Sequence, residues 1–342
     1  MHLFPNIPTY SFSPVLCCCL LFPTLSSGQL SSISRPIGIV QIVEISVILV
    51  GRPLLENHPT FQDQLAHDFS SAKFDERTVM LCDQCEKEFH VGCLRRSGLC
   101  DLKVKLPKDK WFCCDDCSRI HIALQNLVPI GPKIVPASLS HIILKKHADK
   151  GLFIDGAEDD IQWRILSGKS RYLEHLPFLS RSAAIFQECF DPIVARSSPD
   201  LIPVMVYGKN IYGQEFGGMY CVVLTVRSIV VSAGLLRIFG REVAELPIVA
   251  TTREHQGKGY FQVLFSCIEK LLVSLNVENI VLPAAEEAES IWTNKFGFTK
   301  MSDDRLSKYM REVQFTIFKG TSMLEKAVQQ EQQCIIKCYW II

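Results

Sequence analysis

Seven of the 15 cysteines crowd into one segment, at Cys82, Cys85, Cys93, Cys100, Cys113, Cys114 and Cys117, with His90 among them. A Cys-x-x-Cys turn lets two thiolates reach one tetrahedral ion at about 2.3 Å, and mixed Cys/His spacing of this kind builds structural zinc sites. One such turn alone would also suit a redox dithiol, but a second cysteine group plus His90 and Cys93 argues against that use. Disulfide pairing would leave His90 without a purpose and would need an export signal. A second stretch able to do chemistry reads Arg253-Glu254-His255-Gln256-Gly257-Lys258-Gly259-Tyr260. Glycines here permit close backbone approach, and the run leads straight into an apolar-periodic segment. A strand, a glycine-containing turn and a helix N-terminus together make an anion site. The terminal Gly-Lys-Ser/Thr of a Walker loop and the third glycine of the dinucleotide fingerprint are both missing.

Elements must hold these residues in place. After Cys117, Ile120 to Leu127 has helical spacing; Pro129, Gly131, Pro132 and Pro136 then punctuate a linker, with one more short helix over Ser138 to Lys146. Asp155 to Asp160 forms an acidic boundary before a new apolar pattern. A helix-like stretch, Ser182 to Val194, precedes strand-like runs at Leu201 to Val206, Tyr220 to Val226, Ser228 to Ile238 and Val243 to Ala250. Their β-branched content and the turns at Gly208, Gly217-Gly218 and Gly240 predict an antiparallel meander. Phe261 to Leu275 is an amphipathic helix by its 3.6-residue spacing. Cys221 and Cys267 fall on a strand and an apolar helix face, as packed cysteines rather than nucleophiles.

With 342 residues, 48% of them hydrophobic, the chain can build two domains with a sizeable core. Its 36 basic and 36 acidic residues cancel, so there is no broad positive field to hold nucleic acid, and strong direct DNA binding is not expected. Arg95, Arg96, Lys103, Lys105, Lys108 and Lys110 are interspersed with Asp101 and Asp109 and lack stacking aromatics, which describes a solvated loop. The N-terminal 30 residues are apolar but broken by Pro5, Pro8, Pro14 and Pro23, with no Lys or Arg ahead of the Cys17-Cys18-Cys19 run. The stretch Ile37 to Val50 carries Glu44 and is shorter than the ~20 residues of a bilayer span, so no membrane segment is expected.

Through Cys82, Cys85, His90, Cys93, Trp111 and the final cysteines, the sequence resembles the PHD finger, a cross-braced two-zinc module. The resemblance implies one site from Cys82, Cys85, Cys117 and either Cys113 or Cys114. Trp-x-Cys spacing favours Cys113 and Cys-x-x-Cys spacing favours Cys114. It implies a second site at His90 and Cys93, but the cysteine pair expected before Cys82 is absent; Phe61 and Gln64 stand there, with His58 and His67 nearby as candidate substitutes.

From about residue 161 the order of elements resembles the GNAT acyltransferase fold: strand Val243–Thr252, loop Gln256–Tyr260, helix, strand Asn279–Ala284, helix Glu286–Lys295 and a closing Phe296-Gly297-Phe298. Over roughly residues 75–315, the finger cysteines, Gln256-Gly257-Lys258-Gly259-Tyr260 and Trp292-x-x-Lys295-Phe296-Gly297-Phe298 together are similar to the plant Increased DNA Methylation family of nuclear histone acetyltransferases. The resemblance implies an α/β (α+β) fold with a mixed, mainly antiparallel sheet, preceded by a small cross-braced finger. The domains expected are a leader (1–56), a partial finger (57–120), a linker (121–160), an acyltransferase domain (161–315) and a tail (316–342).

The same resemblance implies a chemistry and the residues for it. Acetyl-CoA would lie along Ile248, Val249, Ala250 and Thr251, with its pyrophosphate on Gln256, Gly257, Lys258, Gly259 and Tyr260, while Zn2+ fills the finger. Glu245 corresponds to the catalytic glutamate, with Glu242 in reserve, and backbone N–H near Val249 would polarise the thioester. A lysine amine with a pKa of about 10.4 must lose its proton before attack, which costs about 4–5 kcal/mol at neutral pH, so a positioned base is required. Glu254 stands where the family often has Gln or Arg, and Thr293 where it commonly has a tyrosine. The function implied is acetyl transfer to histone-tail lysines in the nucleus among chromatin-associated proteins, the alternative being a non-enzymatic chromatin adaptor with the same fold.

Overall fold

The computed structural model describes residues 47–48, 78–97, 110–151, 161–193, 200–211 and 214–328. A two-residue strand, β1 (Val47–Ile48), comes first. The finger contributes the hairpin β2 (Val79–Leu81) and β3 (Glu88–His90), then α1 (Val91–Ser97) and α2 (Asp115–Leu127). Next come β4 (Lys133–Ile134), α3 (Ala137–Ala148), β5 (Ile161–Ser167), α4 (Leu176–Cys189) and α5 (Leu201–Val206). After the small hairpin β6 (Asn210–Ile211) and β7 (Gln214–Glu215) run the long strands β8 (Met219–Val226) and β9 (Ile229–Phe239). Two short strands, β10 (Val243–Glu245) and β11 (Val249–Thr251), lead to α6 (Tyr260–Ser274). The chain then forms β12 (Asn279–Ala285), α7 (Glu286–Phe296), β13 (Thr299–Lys300), α8 (Asp303–Glu312), β14 (Ile317–Phe318) and β15 (Thr321–Ala327).

Among the described residues, nine strands make one sheet in the order β13-β15-β12-β10-β9-β8-β5-β4, with β11 pairing β9 beside β10. Every pairing in it is antiparallel except β10 with β12, which are joined by the α6 crossover and run parallel. Period-two alternation sends β8 side chains to two cores. Tyr220, Val222 and Leu224 face a core closed by α2, α3, α6 and α7, whereas Cys221 and Val223 face one closed by α4 and α5. Burial on both faces explains why β8 and β9 read as nearly continuous apolar runs.

Several expectations change. Leu201–Val206 is a helix, not a strand: the Asp200 carboxylate accepts from Ile202 N at 3.0 Å, an N-cap that overrides the β-branched composition of the run. Helix α4 starts at Leu176 rather than Ser182, with Pro177 in its first turn where a missing N–H costs nothing, and ends at Cys189 rather than Val194. The single strand expected over Val243 to Ala250 is two, separated at Leu246–Ile248, where Pro247 has no N–H for a ladder. The sheet also takes in residues read as linker and tail: β4 lies at one edge, and β15 sits between β12 and β13. Within the apolar stretch Ile37 to Val50, β1 pairs antiparallel with β14, Val47 opposite Phe318 and Ile48 opposite Ile317. The rest of the leader, His58, His67, Cys100, Lys103, Lys105 and Lys108 lie outside the described residues. Among the described residues, no helix is long and apolar enough to cross a membrane.

Candidate active site and metal centre

The finger has a small core of its own, Met80, Val91 and Leu94 with Phe89 and Trp111 packed on it, and beside that core four sulfurs converge. The Sγ atoms of Cys82, Cys85, Cys113 and Cys117 all lie within 4.8 Å of one another. The Cys85–Cys113 and Cys113–Cys117 separations are 3.6 and 3.7 Å. An ion at 2.3 Å from four sulfurs would space them about 3.8 Å apart, so the set fits one closed tetrahedral site. These spacings also far exceed the ~2.05 Å of a disulfide. Of the alternatives at the last pair, Cys113 is in the cluster, and Cys114 is exposed outside it. His90 and Cys93 are exposed and stand apart from the four sulfurs; Arg96 Nη2 donates to Cys93 Sγ at 3.5 Å.

The glycine-containing loop sits where the sheet opens. β10 pairs with β12 through Glu245↔Val281, but beyond that point β11 stays with β9 and β12 with β15. Ile248, Val249, Ala250 and Thr251 follow that divergence and are all buried. A 3-10 turn, Arg253–His255, then delivers Gln256 to Gly259 to the start of α6. Gly257 and Gly259 have φ of +68° and +89°, left-handed values that glycine adopts without a Cβ clash. The first turn of α6 contains no acidic residue, so its N–H groups and positive dipole end face the loop unopposed by an acid of their own.

Basic side chains from α3 and the turn after it close on this loop. A Cβ on Gly257 would come within 3.1 Å of Lys150 Nζ, and one on Gly259 within 3.2 Å of Lys146 Cδ. Burial, with Lys295 and Lys150 nearby, lowers the pKa of Lys146. His147 is buried edge-on to Tyr260, and burial, with Lys258 and Lys150 nearby, keeps it neutral to lower pH than usual. Glu254, the residue at odds with phosphate, is exposed. Lys146 and Lys150 were missed in the sequence because they lie over a hundred residues ahead of the loop in a segment read as linker. The clue available was three basic residues, Lys145, Lys146 and His147, at a helix end.

Glu245 ends β10 at the divergence and is fully buried. Its carboxylate accepts from Thr316 N, and from Thr316 Oγ1 at 3.4 Å. Burial pushes its pKa up to about 7, against the pull of Arg237 and of the Thr316 hydrogen bonds. That value suits a general base at neutral pH. Glu242 is elsewhere: it pairs with Lys87 at 2.9 Å and Lys308 at 3.8 Å in the β9–β10 turn. Thr293 Oγ1 donates to Ser290 O at 3.3 Å within α7, and Trp292 packs against Phe261, Phe265 and Phe298. Cys221 and Cys267 are buried with their thiols pushed up to about 12, which makes them packing residues.

A mixed sheet whose parallel pair parts beside a glycine loop and helix defines the acyltransferase fold of the GNAT class, here joined to a four-cysteine finger. Residues 190–327 match the family model of the Increased DNA methylation 1 C-terminal domain, so the resemblance read from the sequence stands. The protein Increased DNA methylation 1 of Arabidopsis thaliana is 30% identical over 254 residues, 73% of this chain and 20% of that protein. This chain thus spans about one fifth of the relative's length. A second Arabidopsis protein, histone-lysine N-methyltransferase ATXR6, is 38% identical over 60 residues, 18% of this chain and 15% of that one. Among solved structures, Tetrahymena GCN5 aligns with a TM-score of 0.40 at 18% identity, over 49% of this chain and 96% of that one. Its catalytic domain in complex with coenzyme A gives 0.37 at 17%, over 51% and 96%. At these scores the structural alignments add nothing to the topology itself.

Proposed function

We propose that this chain is an acyl-CoA-dependent N-acetyltransferase that modifies histone-tail lysines in the nucleus, with zinc in its finger. The observation that supports it most is one strand break: Glu245 lies at its start, a carboxyl group poised near pH 7, and the glycine loop with its lysines lies at its end. Acetyl-CoA supplies the activated thioester. Lys146, Lys150 and Lys258, with the α6 N-terminus, hold its phosphates. Because Glu245 is buried, the proton of the substrate ammonium reaches it through an intervening water. The neutral amine then attacks the thioester carbonyl, its nitrogen gives up a second proton to solvent, the C–S bond breaks to leave the amide, and the thiolate takes a proton from solvent. Transfer of labelled acetyl from acetyl-CoA to histone peptides, measured for wild type and Glu245→Gln, tests this: a silent wild type sinks the enzyme, and an undiminished variant sinks the glutamate.

A second reading is favoured by the way Thr316 occupies both oxygens of Glu245, together with Thr293 in place of a tyrosine. It is a chromatin adaptor that binds CoA without turnover. Acetyl-CoA binding by calorimetry with no transfer to any histone peptide would establish it.

A further inference from the structure

The finger does not stand apart from the sheet. Three polar residues of its metal knuckle, just after Cys82, each engage the end of β9 or the turn after it. Gln84 Nε2 donates to Ile238 O at 2.7 Å, Glu86 pairs with Arg237, and Lys87 pairs with Glu242 and Glu312. Glu86 holds a left-handed φ of 60°, a conformation that costs a residue with a Cβ on the order of 1 kcal/mol and persists only where the surroundings enforce it. That bend aims its carboxylate at Arg237, Nε to Oε1 at 3.1 Å and Nη2 to Oε2.

Arg237 is 3% exposed and is the direct cross-strand partner of Glu245. Directly opposed residues on one face of an antiparallel pair bring their side chains together. A buried guanidinium is strongly stabilised by a carboxylate, and two stand next to it: Glu86, in contact, and Glu245, directly opposite on the neighbouring strand. The structure gives it Glu86 and gives Glu245 the uncharged Thr316. Arg237 Nη1 is left buried without a hydrogen-bond partner, so the guanidinium keeps a donor able to take a second acid. Without the Glu86 charge, Arg237 would pair with Glu245 and hold it ionised but spent as a base. The charged groups acting on Glu245 are Arg237 from β9 and Glu86 from the knuckle, and Thr316 adds hydrogen bonds without charge.

We propose that Glu86 is a positioning residue of the acyl-transfer centre, occupying Arg237 so that this guanidinium does not capture Glu245. The inference rests on the acetyltransferase reading, and its test separates the two. In the full chain, Glu86→Gln leaves the four cysteines intact. The expected result is a kcat for acetyl transfer lower by about tenfold with the KM for acetyl-CoA within about twofold. By carboxyl-carbon NMR, the Glu245 titration midpoint falls by about one pH unit. The double variant Glu86→Gln/Arg237→Met, which removes the capturing cation, should recover both, a rescue that a purely structural role for Glu86 would not give. An unmoved midpoint in Glu86→Gln, or a double variant no better than the single, overturns the proposal. If wild type transfers no acetyl group, the enzyme reading fails while the NMR midpoint still decides the role of Glu86. Should Glu86→Gln not fold, Arg237→Met alone decides: its Glu245 midpoint must rise, and a constant value refutes the coupling.

Discussion

The finger and the sheet domain are held together by opposite means. Among the described residues, three buried apolar side chains, Met80, Val91 and Leu94, form the finger's core, and four thiols lie beside them. The sheet domain buries two large apolar layers, including the Phe261, Phe265, Trp292, Phe296 and Phe298 cluster with ring centroids 5.0 to 6.1 Å apart. Area burial can sustain the second, whereas among the described residues the finger's apolar core is too small to do so alone, and a cation held by its four cysteines would contribute folding free energy. The sheet contributes the surface on which the finger rests.

Metal removal should have the largest effect on the finger, since a structural zinc site carries about 10–16 kcal/mol of coupled folding free energy. After chelation, amides of 78–97 and 110–120 should exchange freely while those of β8 and β9 stay protected, as read by hydrogen exchange with mass spectrometry. Simultaneous loss of both would make the two regions one cooperative unit. Cys113→Ser should release the metal and Cys114→Ser should retain it, and elemental analysis should return one zinc per chain.

In the sheet domain the burial of Glu245 works against stability. Glu245→Gln should cut acetyl transfer by about 10²–10⁴ while making the sheet more stable. With its folded pKa raised from 4.5 to about 7, Glu245 binds more protons folded than unfolded across that interval. Its contribution is thus fully present below about pH 4.5 and is lost as pH rises through 7, amounting to a cost on the order of 3 kcal/mol at pH 8. Denaturant midpoints of wild type should fall from pH 5 to pH 8 relative to those of Glu245→Gln. Activity should rise over the upper part of the same range as the carboxylate forms.

A smaller effect is expected at the seam. Gly240, with φ of +72°, turns β9 into β10 against the metal site, and a Cβ there would lie 3.2 Å from both Cys117 Sγ and Cys85 Cβ. Gly240→Ala should cost about 1–2 kcal/mol from the left-handed backbone alone, and more if the sulfur cannot shift. Thermal melts that show no change would mean the finger and sheet touch more loosely than Gly240 implies.

What the sequence revealed was local. Cys82 with Cys85, and Gln256 through Tyr260 ahead of an amphipathic helix, are patterns within a few residues; the first lies in the four-sulfur cluster and the second in the loop at the start of α6. The Thr316–Glu245 contact spans 71 residues and the Arg237–Glu86 pair 151, and neither leaves a trace in spacing. Leu201–Val206 reads as a strand by its β-branched composition, and the Asp200 cap makes it a helix. Cys113 and Cys114 could not be told apart by spacing, since adjacent side chains differ in direction, which only the start of α2 at Asp115 fixes.

The lysines of α3 and the turn after it give the finest test. If they serve the glycine loop, Lys150→Ala and Lys146→Ala should each raise the KM for acetyl-CoA a few-fold, corresponding to roughly 0.5–1 kcal/mol for a partly exposed charge near a phosphate. The effect should shrink as salt rises from about 0.05 to 0.5 M, on the order of the Debye screening expected there. kcat should hold, because neither residue approaches Glu245. Dephospho-CoA thioester, which lacks the ribose phosphate, discriminates further. If the two lysines hold that phosphate, their substitution loses its effect with the dephospho substrate; if they hold the pyrophosphate, the effect persists. A KM unchanged by either substitution would return Lys146 and Lys150 to the surface of a linker helix and leave the loop's anion affinity to Lys258 and the α6 dipole alone.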